Sequence, residues 1–598
     1  MSRCTRQPSV QRRYTRRDVF LHARNSSAAT LLASAAVSSL LAACGGTQTT
    51  VPSAAVTPNT TGANSTSATP NVAVGSAVST TTVTRGGMLR FGAIADLGYG
   101  SLDLSTTTGT PDYDDAFSFN DAYIYLLPNG TFVPGLATSW DVSPDGLSYT
   151  FKLRQDVKFH DGTAFDAAAA KYNFDRYADK AINPAGYSYR YLGAGVNYKG
   201  CNVIDPYTFR LNFSTPNTLF IYRMRRGWFS PQSPTAIQKY GKDYYRNPVS
   251  VGPFKFTEWT PGDHITGDAY ADYKWGPTQI FGHSDRPYLD RIMYKIFKDN
   301  TTKATALESG DLDYASQLNP EDFTRFKSNK NFVANSRDQN GTSVYISCNC
   351  ERPPSNDIAV RQAISWAIDR AALAKSLYFG LYPPTTGVLT PNMWSYDASL
   401  ESLMGYDSQK AGQLLDQAGW VRSGNGTRSK QGQDLKLRWI INQAQQPVAQ
   451  YVQDQLQKIG IAITLQTLAG AGLNDALTRG DHNLSGGTGN SINEDPDILR
   501  TTMHSSLIDV SQNTIRVRNP ELDSLFEKGI SFNGDLHAPE REQMYKRIQQ
   551  IILQNAYVIP LYDQKTLEAY HTNVHAENIG YDPYGQYHQF NSVWLEKK

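Results

Sequence analysis

Hydrolytic chemistry in this chain would have to come from scattered acids such as Asp161 and Glu494, which lie far apart in the sequence. A carboxylate pair at catalytic separation would mark an enzyme. The sequence contains no G-x-S-x-G nucleophile turn, no Walker phosphate loop and no H-E-x-x-H helix. His571 and His575 are four apart, yet the intervening Thr572, Asn573 and Val574 argue against a helix that would align them on one metal ion. Cys348 and Cys350 share a face of the strand-like run from Thr342, but no third or fourth ligand lies nearby. With Cys201 they read as buried or singly bridged structural cysteines, since an oxidising compartment would let Cys201 pair with one of them. No metal and no cofactor is therefore expected. Arg361 can meet a ligand carboxylate or a neighbouring acid, Asp357 or Asp369. The chain carries 35 Tyr and 9 Trp, side chains that line ligand clefts by joining large contact area to a polar tip, or that serve as amphipathic surface.

The formal net charge of +2 falls near neutrality once the basic N-terminus is set aside, so no nucleic acid partner is expected. Met1–Arg24 carries Arg3, Arg6, Arg12, Arg13, Arg16, Arg17 and Arg24 against one acid, Asp18, and the uncharged run Ser26–Ala43 follows. A basic region before an apolar one reads as a secretion signal over 1–43, excluded from the fold. Leu41-Ala42-Ala43-Cys44 resembles a lipobox, which predicts cleavage before Cys44 and its acylation as a membrane anchor. An uncleaved transmembrane anchor is the alternative, at the short edge of spanning length. TRRDVFL, Thr15–Leu21, also resembles a twin-arginine export motif with one residue too many before Phe20. No residue from Gly45 to Thr84 is charged, and such a composition cannot offset its ordering entropy, so 44–84 reads as a lipidated, disordered tether. At about 40 residues its typical reach is about 35 Å.

Roughly 510 residues remain, material for about three ordinary domain units. Within Val133–Arg176 the order is a turn at Ser143–Gly146, an alternating strand at Ser148–Leu153, a second turn at Asp161-Gly162 and an Ala-rich helix. Gly86–Leu104 predicts an apolar strand and a Gly-rich loop, Tyr207–Pro216 a strand, and Tyr288–Ala315 a strand followed by a helix stopped at Gly310. Beyond Asn340 a strand precedes a helix capped by Asn356 or Asp357, with Val360, Ala363, Ile364, Ala367 and Ile368 on one face. Asp407 caps a helix ended by Gly419. Val448, Val452, Leu456 and Ile459 form a stripe ended by Gly460 before the strand Ile461–Gln466. A last helix, Ala538–Ala556, leads into YVIPLYD, Tyr557–Asp563.

The ordered stretch Val133–Arg176 resembles the signature of the family 5 extracytoplasmic solute-binding proteins, the peptide-type receptors of ABC importers, and the other elements follow that family's order from Arg85 to Lys598. The resemblance implies an α/β, two-lobed periplasmic-binding-protein fold of type II, the large peptide-binding class, with an extra subdomain in the first lobe. The first lobe would span 85–339 with the subdomain inserted at about 125–245, the second 340–555, and 556–598 would return to the first. The crossings would lie near Asp338–Gly341 and Ala556–Leu561. Such a protein is a receptor, not an enzyme. It captures a solute, here expected to be a di- or oligopeptide, and delivers it to a membrane permease served by separate ATPase subunits. A nickel chelate, an oligosaccharide or another solute is the alternative on the same fold, and a surface lipoprotein hydrolase is the alternative of a different class. Its place is extracytoplasmic, lipid-anchored to the cell membrane.

Matching to the family faces Ala95–Ser101 against Gly486–Pro496, which brings Tyr99, Asn490, Asn493, Glu494 and Asp495 to the ligand. Thr390–Asp397 resembles a cleft loop of dipeptide-binding relatives, making Trp394 a stacking or apolar contact, or else a core plug; Tyr123 is a further aromatic candidate. Relatives that grip a peptide's ammonium group carry an aspartate four residues before the proline, where this chain has Ile492. An apolar residue cannot neutralise a buried ammonium, so either the neighbouring Asn and acidic residues substitute or the ligand lacks a free amine. Asp495-Pro496 also reads as a helix start.

Overall fold

The computed structural model describes residues 82–93, 101–103, 106, 118–127, 130–182, 187–192, 197–217, 219–225, 227–385, 387–424, 426–487, 491, 493–509, 513–577, 579–581 and 588–596. The expected signal sequence, the tether from Cys44 as far as Thr81, and Tyr99, Asn490 and Ile492 lie outside the described residues. All elements below belong to one unit, Thr80–Lys598.

Strand Met88–Ala93 buries Leu89 and Phe91 and is the centre of a seven-stranded mixed sheet. It pairs in parallel with Arg291–Ile296 on one side and Tyr314–Ala315 on the other. Parallel neighbours need a crossover, and helix Asn300–Ser309 supplies it. Asp299 caps this helix onto the Thr302 amide, and Gly310 stops it at φ +83°, a conformation glycine adopts without steric cost. Antiparallel strands complete both edges: His264–Ala269 and Phe254–Thr260 on one, Lys565–His571 and Phe332–Asp338 on the other.

The expected turn, strand, turn and helix of Val133–Arg176 build a subdomain between the strands of that sheet. The amide of Gly146 donates to Ser143 O at 2.8 Å, and Asp166 caps helix Ala167–Tyr177 at Ala169. Strands Ala137–Val142, Ser148–Leu153, Thr208–Phe213 and Tyr198–Asp205 form an antiparallel sheet against that helix. Alternation along Ser148–Leu153 sends Tyr149, Phe151 and Leu153 inward, where Phe151 and Phe209 stack at 5.2 Å. Tyr123 is buried in this same core.

A five-stranded sheet carries the second lobe, in the order Ala462–Thr467, Lys436–Ile441, Leu484–Gly486, Val344–Cys348, Val558–Tyr562. Helices Ile358–Ala367 and Gln446–Lys458 bury the expected stripes against it, around Trp439. Asp357, not Asn356, caps the first, accepting from the Ala359 amide at 3.0 Å. Strand Val558–Tyr562, expected to be the return to the first lobe, instead pairs with Val344–Cys348, so the second crossing falls at Asp563–Gln564. Its five residues are all buried, so an apolar run without alternation could not show which sheet it joins. Cys201 sits in the subdomain sheet and Cys348 in the second lobe's sheet; these two and Cys350 are free, so the optional bridge does not form. Burial pushes the thiols of Cys201 and Cys348 up to about 12.

Both crossings are fastened to loops of the second lobe. The Thr390 amide donates to Gly341 O at 2.9 Å, Ser343 donates to Val388 O at 3.0 Å, and Asp563 donates to Pro383 O at 2.9 Å. Ser343 Oγ joins the two crossings by donating to Asp563 Oδ1 at 2.6 Å. On the first-lobe side Asp338 pairs with Lys565 at 2.9 Å, which leaves Gln339 and Gln564 between the fastened regions. Burial pushes the Asp563 carboxyl up to about 6, against the lowering effect of the Ser343 and Thr385 hydroxyls. In the unfolded chain an aspartate titrates at about 3.9. Between that value and about 6 only the folded protein holds the proton, so this contribution to stability is full at low pH and is lost as pH rises through about 6. Asp563→Asn, which cannot ionise, is expected to be more stable than the wild type at about pH 8 and to lose that advantage as pH falls to about 4. Calorimetric melting at both values checks this, and a difference independent of pH would contradict it.

Candidate solute-binding cleft

Strand Leu484–Gly486 ends on two glycines in the left-handed region, at φ +80° and +109°. A Cβ on Gly486 would lie 2.9 Å from Tyr345 O, so the chain leaves the sheet here only because no side chain is present. The Gly487 amide donates to Tyr345 O at 3.0 Å and Trp439 Nε1 to Gly486 O at 3.3 Å, holding the departure. The chain then meets the first crossing: Thr342 donates to Ser491 O at 3.0 Å, Ser491 to Thr342 Oγ1 at 2.9 Å, and Asn493 to Asn340 O at 3.1 Å. The described residues of Gly486–Pro496 therefore connect the sheet of the second lobe to the hinge. Of the facing segment only Ser101 is described; its Oγ accepts from the Asp103 amide at 3.1 Å.

Buried pairs take up the acids at the end of this segment. Glu494 Oε2 lies 2.7 Å from Arg225 Nη2, which belongs to the subdomain of the first lobe. Asp495 receives both ends of the Arg541 guanidinium, at 2.7 and 2.8 Å, with the Arg541 side chain fully out of solvent. Arg541 also donates to Gly529 O and Leu536 O. Burial alone would lower the Arg541 pKa; the charge of Asp495 and its hydrogen bonds outweigh this and hold it above its ordinary value. Asp497 accepts from Tyr545 and pairs with Arg500, and burial raises its carboxyl. The Asp497 amide donates to Asp495 Oδ1 at 2.9 Å ahead of helix Ile498–Met503, as the helix-start reading requires.

The structure brings Trp394 to this cluster. Its ring lies 5.4 Å from the Arg541 Cζ and 5.0 Å from His537, and its Nε1 is buried with no hydrogen-bond partner among the described residues. Asn493 shapes the loop, its Oδ1 accepting from the Asp495 amide at 3.0 Å. Two expectations are corrected. Arg361 is buried inside the second lobe, where its guanidinium is taken up by donating to the carbonyls of Asn555, Ser355 and Asn356, which leaves it turned into the lobe. Tyr123 is a core residue of the subdomain, its ring 5.6 Å from Phe209. Asp161 and Glu494 do not meet: Asp161 accepts from Ser233 and Thr163 within the subdomain. His571 contacts Leu307 O and His575 stacks on Trp594, and no group of three or more metal-ligating side chains occurs among the described residues. Sequence reasoning missed Arg225, Arg541 and His537. Arg225 stands in the basic run Arg223–Arg226 without a motif, and its acid lies 269 residues away.

Two α/β bodies joined by a double crossing, with a glycine-led loop running from one sheet to the hinge, define a two-lobed solute-binding protein. Residues 131–508 match the family model of the bacterial extracellular solute-binding proteins, family 5. The chain is 31% identical over 449 residues to the glutathione-binding protein GsiB of Shigella flexneri serotype 5b, covering 73% of this chain and 82% of that one. The Escherichia coli K12 protein of the same name matches equally, at 31% over 449 residues. Among solved structures, DppA of Helicobacter pylori in complex with the peptide STSA is similar with a TM-score of 0.68 and 25% identity, over 86% of this chain and 99% of that one. NikA of Brucella suis in complex with Fe(III)-EDTA superposes with a TM-score of 0.73 at 23% identity, over 85% and 100%. The chain belongs to the family 5 bacterial extracellular solute-binding proteins. It is the extracytoplasmic solute-binding component of an ABC importer and works with a membrane permease. No helix among the described residues is long and apolar enough to cross a membrane.

Proposed function

We propose that the solute is a short peptide or peptide-like molecule, and that the receptor is held at the membrane by acylated Cys44. The observation that carries the first part is the 31% identity to a glutathione-binding protein over 82% of its length, supported by the fold shared with a receptor solved around a tetrapeptide. The site favours a solute recognised through its main chain. Glu494 and Asp495 are already neutralised by buried arginines, so they offer no unpaired charge to a ligand ammonium. A solute gripped through its own main chain needs no such charge, and Trp394 would supply an apolar wall. Tyr99 and Asn490 are proposed to complete the cleft. With Ile492 in place of the relatives' aspartate, the preferred ligand lacks a free amino end or keeps its amine in water.

A metal chelate is a second reading, suggested by the Fe(III)-EDTA complex of the Brucella protein, whose likeness at 23% identity reaches the fold alone. Native mass spectrometry of freshly purified protein identifies any retained solute. Titration with glutathione, the peptide STSA and its N-acetylated form then ranks the classes. A true ligand at 100 times its Kd is expected to stabilise the protein by about 2.7 kcal/mol. Failure of every peptide to shift the melting temperature, with a shift from a metal chelate, would overturn the peptide reading. Tight binding of free dipeptides but not of acetylated ones would overturn the role given to Ile492. For the anchor, Cys44→Ser is expected to release the protein from the membrane fraction.

A further inference from the structure

Ile530 and Leu536 of the second lobe pack against the core of the subdomain, and Asn533 Nδ2 donates to Pro144 O at 2.8 Å. These contacts fix the loop Asn533–His537 beside the subdomain, and a groove of about 480 Å³ stays open between the two. That volume lies within the range of small-molecule sites, about 300–1,000 Å³. Three rings wall the subdomain side. Phe132 stands between Tyr222 and Trp140, its ring centroid 5.1 Å from the first and 6.4 Å from the second. The loop side carries Leu536, His537 and Asp535, and His537 Nε2 lies 3.1 Å from Tyr222 OH, linking the two walls. The lining includes no residue of Gly486–Pro496, so the groove stands apart from that part of the candidate cleft.

Among the described residues lining the groove, Asp535 is the one acid, and no Lys or Arg is present. Its side chain is exposed, its Oδ1 accepts from the His537 amide at 2.9 Å, and it forms no ion pair with a described residue. Deeper in, burial and then the charges of Asp495 and Glu494 raise the Tyr222 hydroxyl, and Arg541 and Arg225 lower it less. Arg223 acts on the hydroxyl of Tyr149, which is engaged in donating to Asn217 O at 2.6 Å; Arg223 itself does not line the groove. An anion would therefore meet a carboxylate and no cation. A neutral apolar molecule would cover the rings and leave Asp535 partly desolvated without a counter-charge. The geometry points to a second binding site, for a small organic cation, whose ammonium sits at Asp535 and whose alkyl groups lie against Phe132, Trp140 and Tyr222. Aromatic faces attract such a cation and the carboxylate balances its charge, while the apolar body covers the walls. The inference does not rest on which solute the cleft holds.

The test titrates the full chain with choline and with 3,3-dimethylbutan-1-ol, which has the same shape and no charge, following tryptophan fluorescence and heat. Choline is expected to bind with a Kd of about 1 mM and at least about tenfold more tightly than the alcohol. Asp535→Asn is expected to weaken choline by about fivefold and to leave the alcohol unchanged, because only the cation uses the carboxylate. Trp140→Leu is expected to weaken choline by about tenfold and to remove most of the fluorescence change. Trp140 also packs against the subdomain core, so a melting curve accompanies that variant. Asp535 is on the surface, and Asp535→Asn decides alone if Trp140→Leu does not fold. Equal affinity for choline and the alcohol, choline binding unchanged by Asp535→Asn, or no choline binding up to about 10 mM would each overturn the inference.

Discussion

Arg541→Ala is expected to cost about 3–5 kcal/mol of folding stability, the range for removing one partner of a buried ion pair. Asp495 would remain 3% exposed with two of its hydrogen bonds gone, and the carbonyls of Gly529 and Leu536 would each lose a donor. A folded domain has only about 5–15 kcal/mol in total, so the loss takes a large share. In units of about 200 residues each kcal/mol lowers Tm by about 2–4 °C. Lysine is not a substitute, since an ammonium cannot offer a planar fork to both carboxylate oxygens and reach the two carbonyls as well. Neutralising the acid together with the base, D495N/R541Q, should recover part of the loss because no unpaired charge stays behind. Chemical denaturation followed by tryptophan fluorescence measures all three variants. A loss below about 1 kcal/mol for Arg541→Ala would mean that the cluster admits water freely, contrary to its burial.

Gly486→Val is expected to abolish high-affinity capture while the protein still folds. The position needs φ near +80° and tolerates no Cβ, because Tyr345 O would stand 2.9 Å from it. Left-handed strain at a β-branched residue costs about 1–3 kcal/mol. The backbone relieves the contact by moving the segment that reaches Ser491 and Asn493, which bond to Thr342 and Asn340 at the hinge. A displaced loop loses both its grip on the crossing and its place opposite the first lobe. At about 1.4 kcal/mol per tenfold, two lost hydrogen bonds correspond to a tenfold to hundredfold rise in Kd. Gly282→Ala is the control: Gly282 has φ +74° with nothing within 4 Å of its Cβ, and it ends the short helix Thr278–Phe281 of the first lobe. It should lower stability slightly and leave Kd unchanged. Isothermal titration with glutathione, or with whatever solute native mass spectrometry reveals, separates the two; equal effects on Kd would remove Gly486 from the site.

The elements were legible wherever local chemistry decides structure. Asp357 and Asp407 cap helices because a short acceptor side chain meets free amides in the first turn. Alternation placed Tyr149, Phe151 and Leu153 inward along one strand, and the stripe Val448, Val452 and Leu456 inward along one helix. The strand Val558–Tyr562 was misplaced because a run buried throughout lacks the alternation that would tell its sheet. The site was harder to read for a related reason. Glu494, Asp495 and Arg361 are polar residues whose types allow a ligand contact or a structural pair equally, and their partners lie far away in the chain.

From its residues alone this chain yields its family, the α/β character of its two lobes and the order of its elements, since turns, caps and periodicity act over a few positions. Which charges remain for a solute was decided only in three dimensions. Arg225 and Arg541 come from distant segments to neutralise neighbouring acids of one loop, and the transfer of those charges from water into the protein holds only when the whole fold supplies the partner.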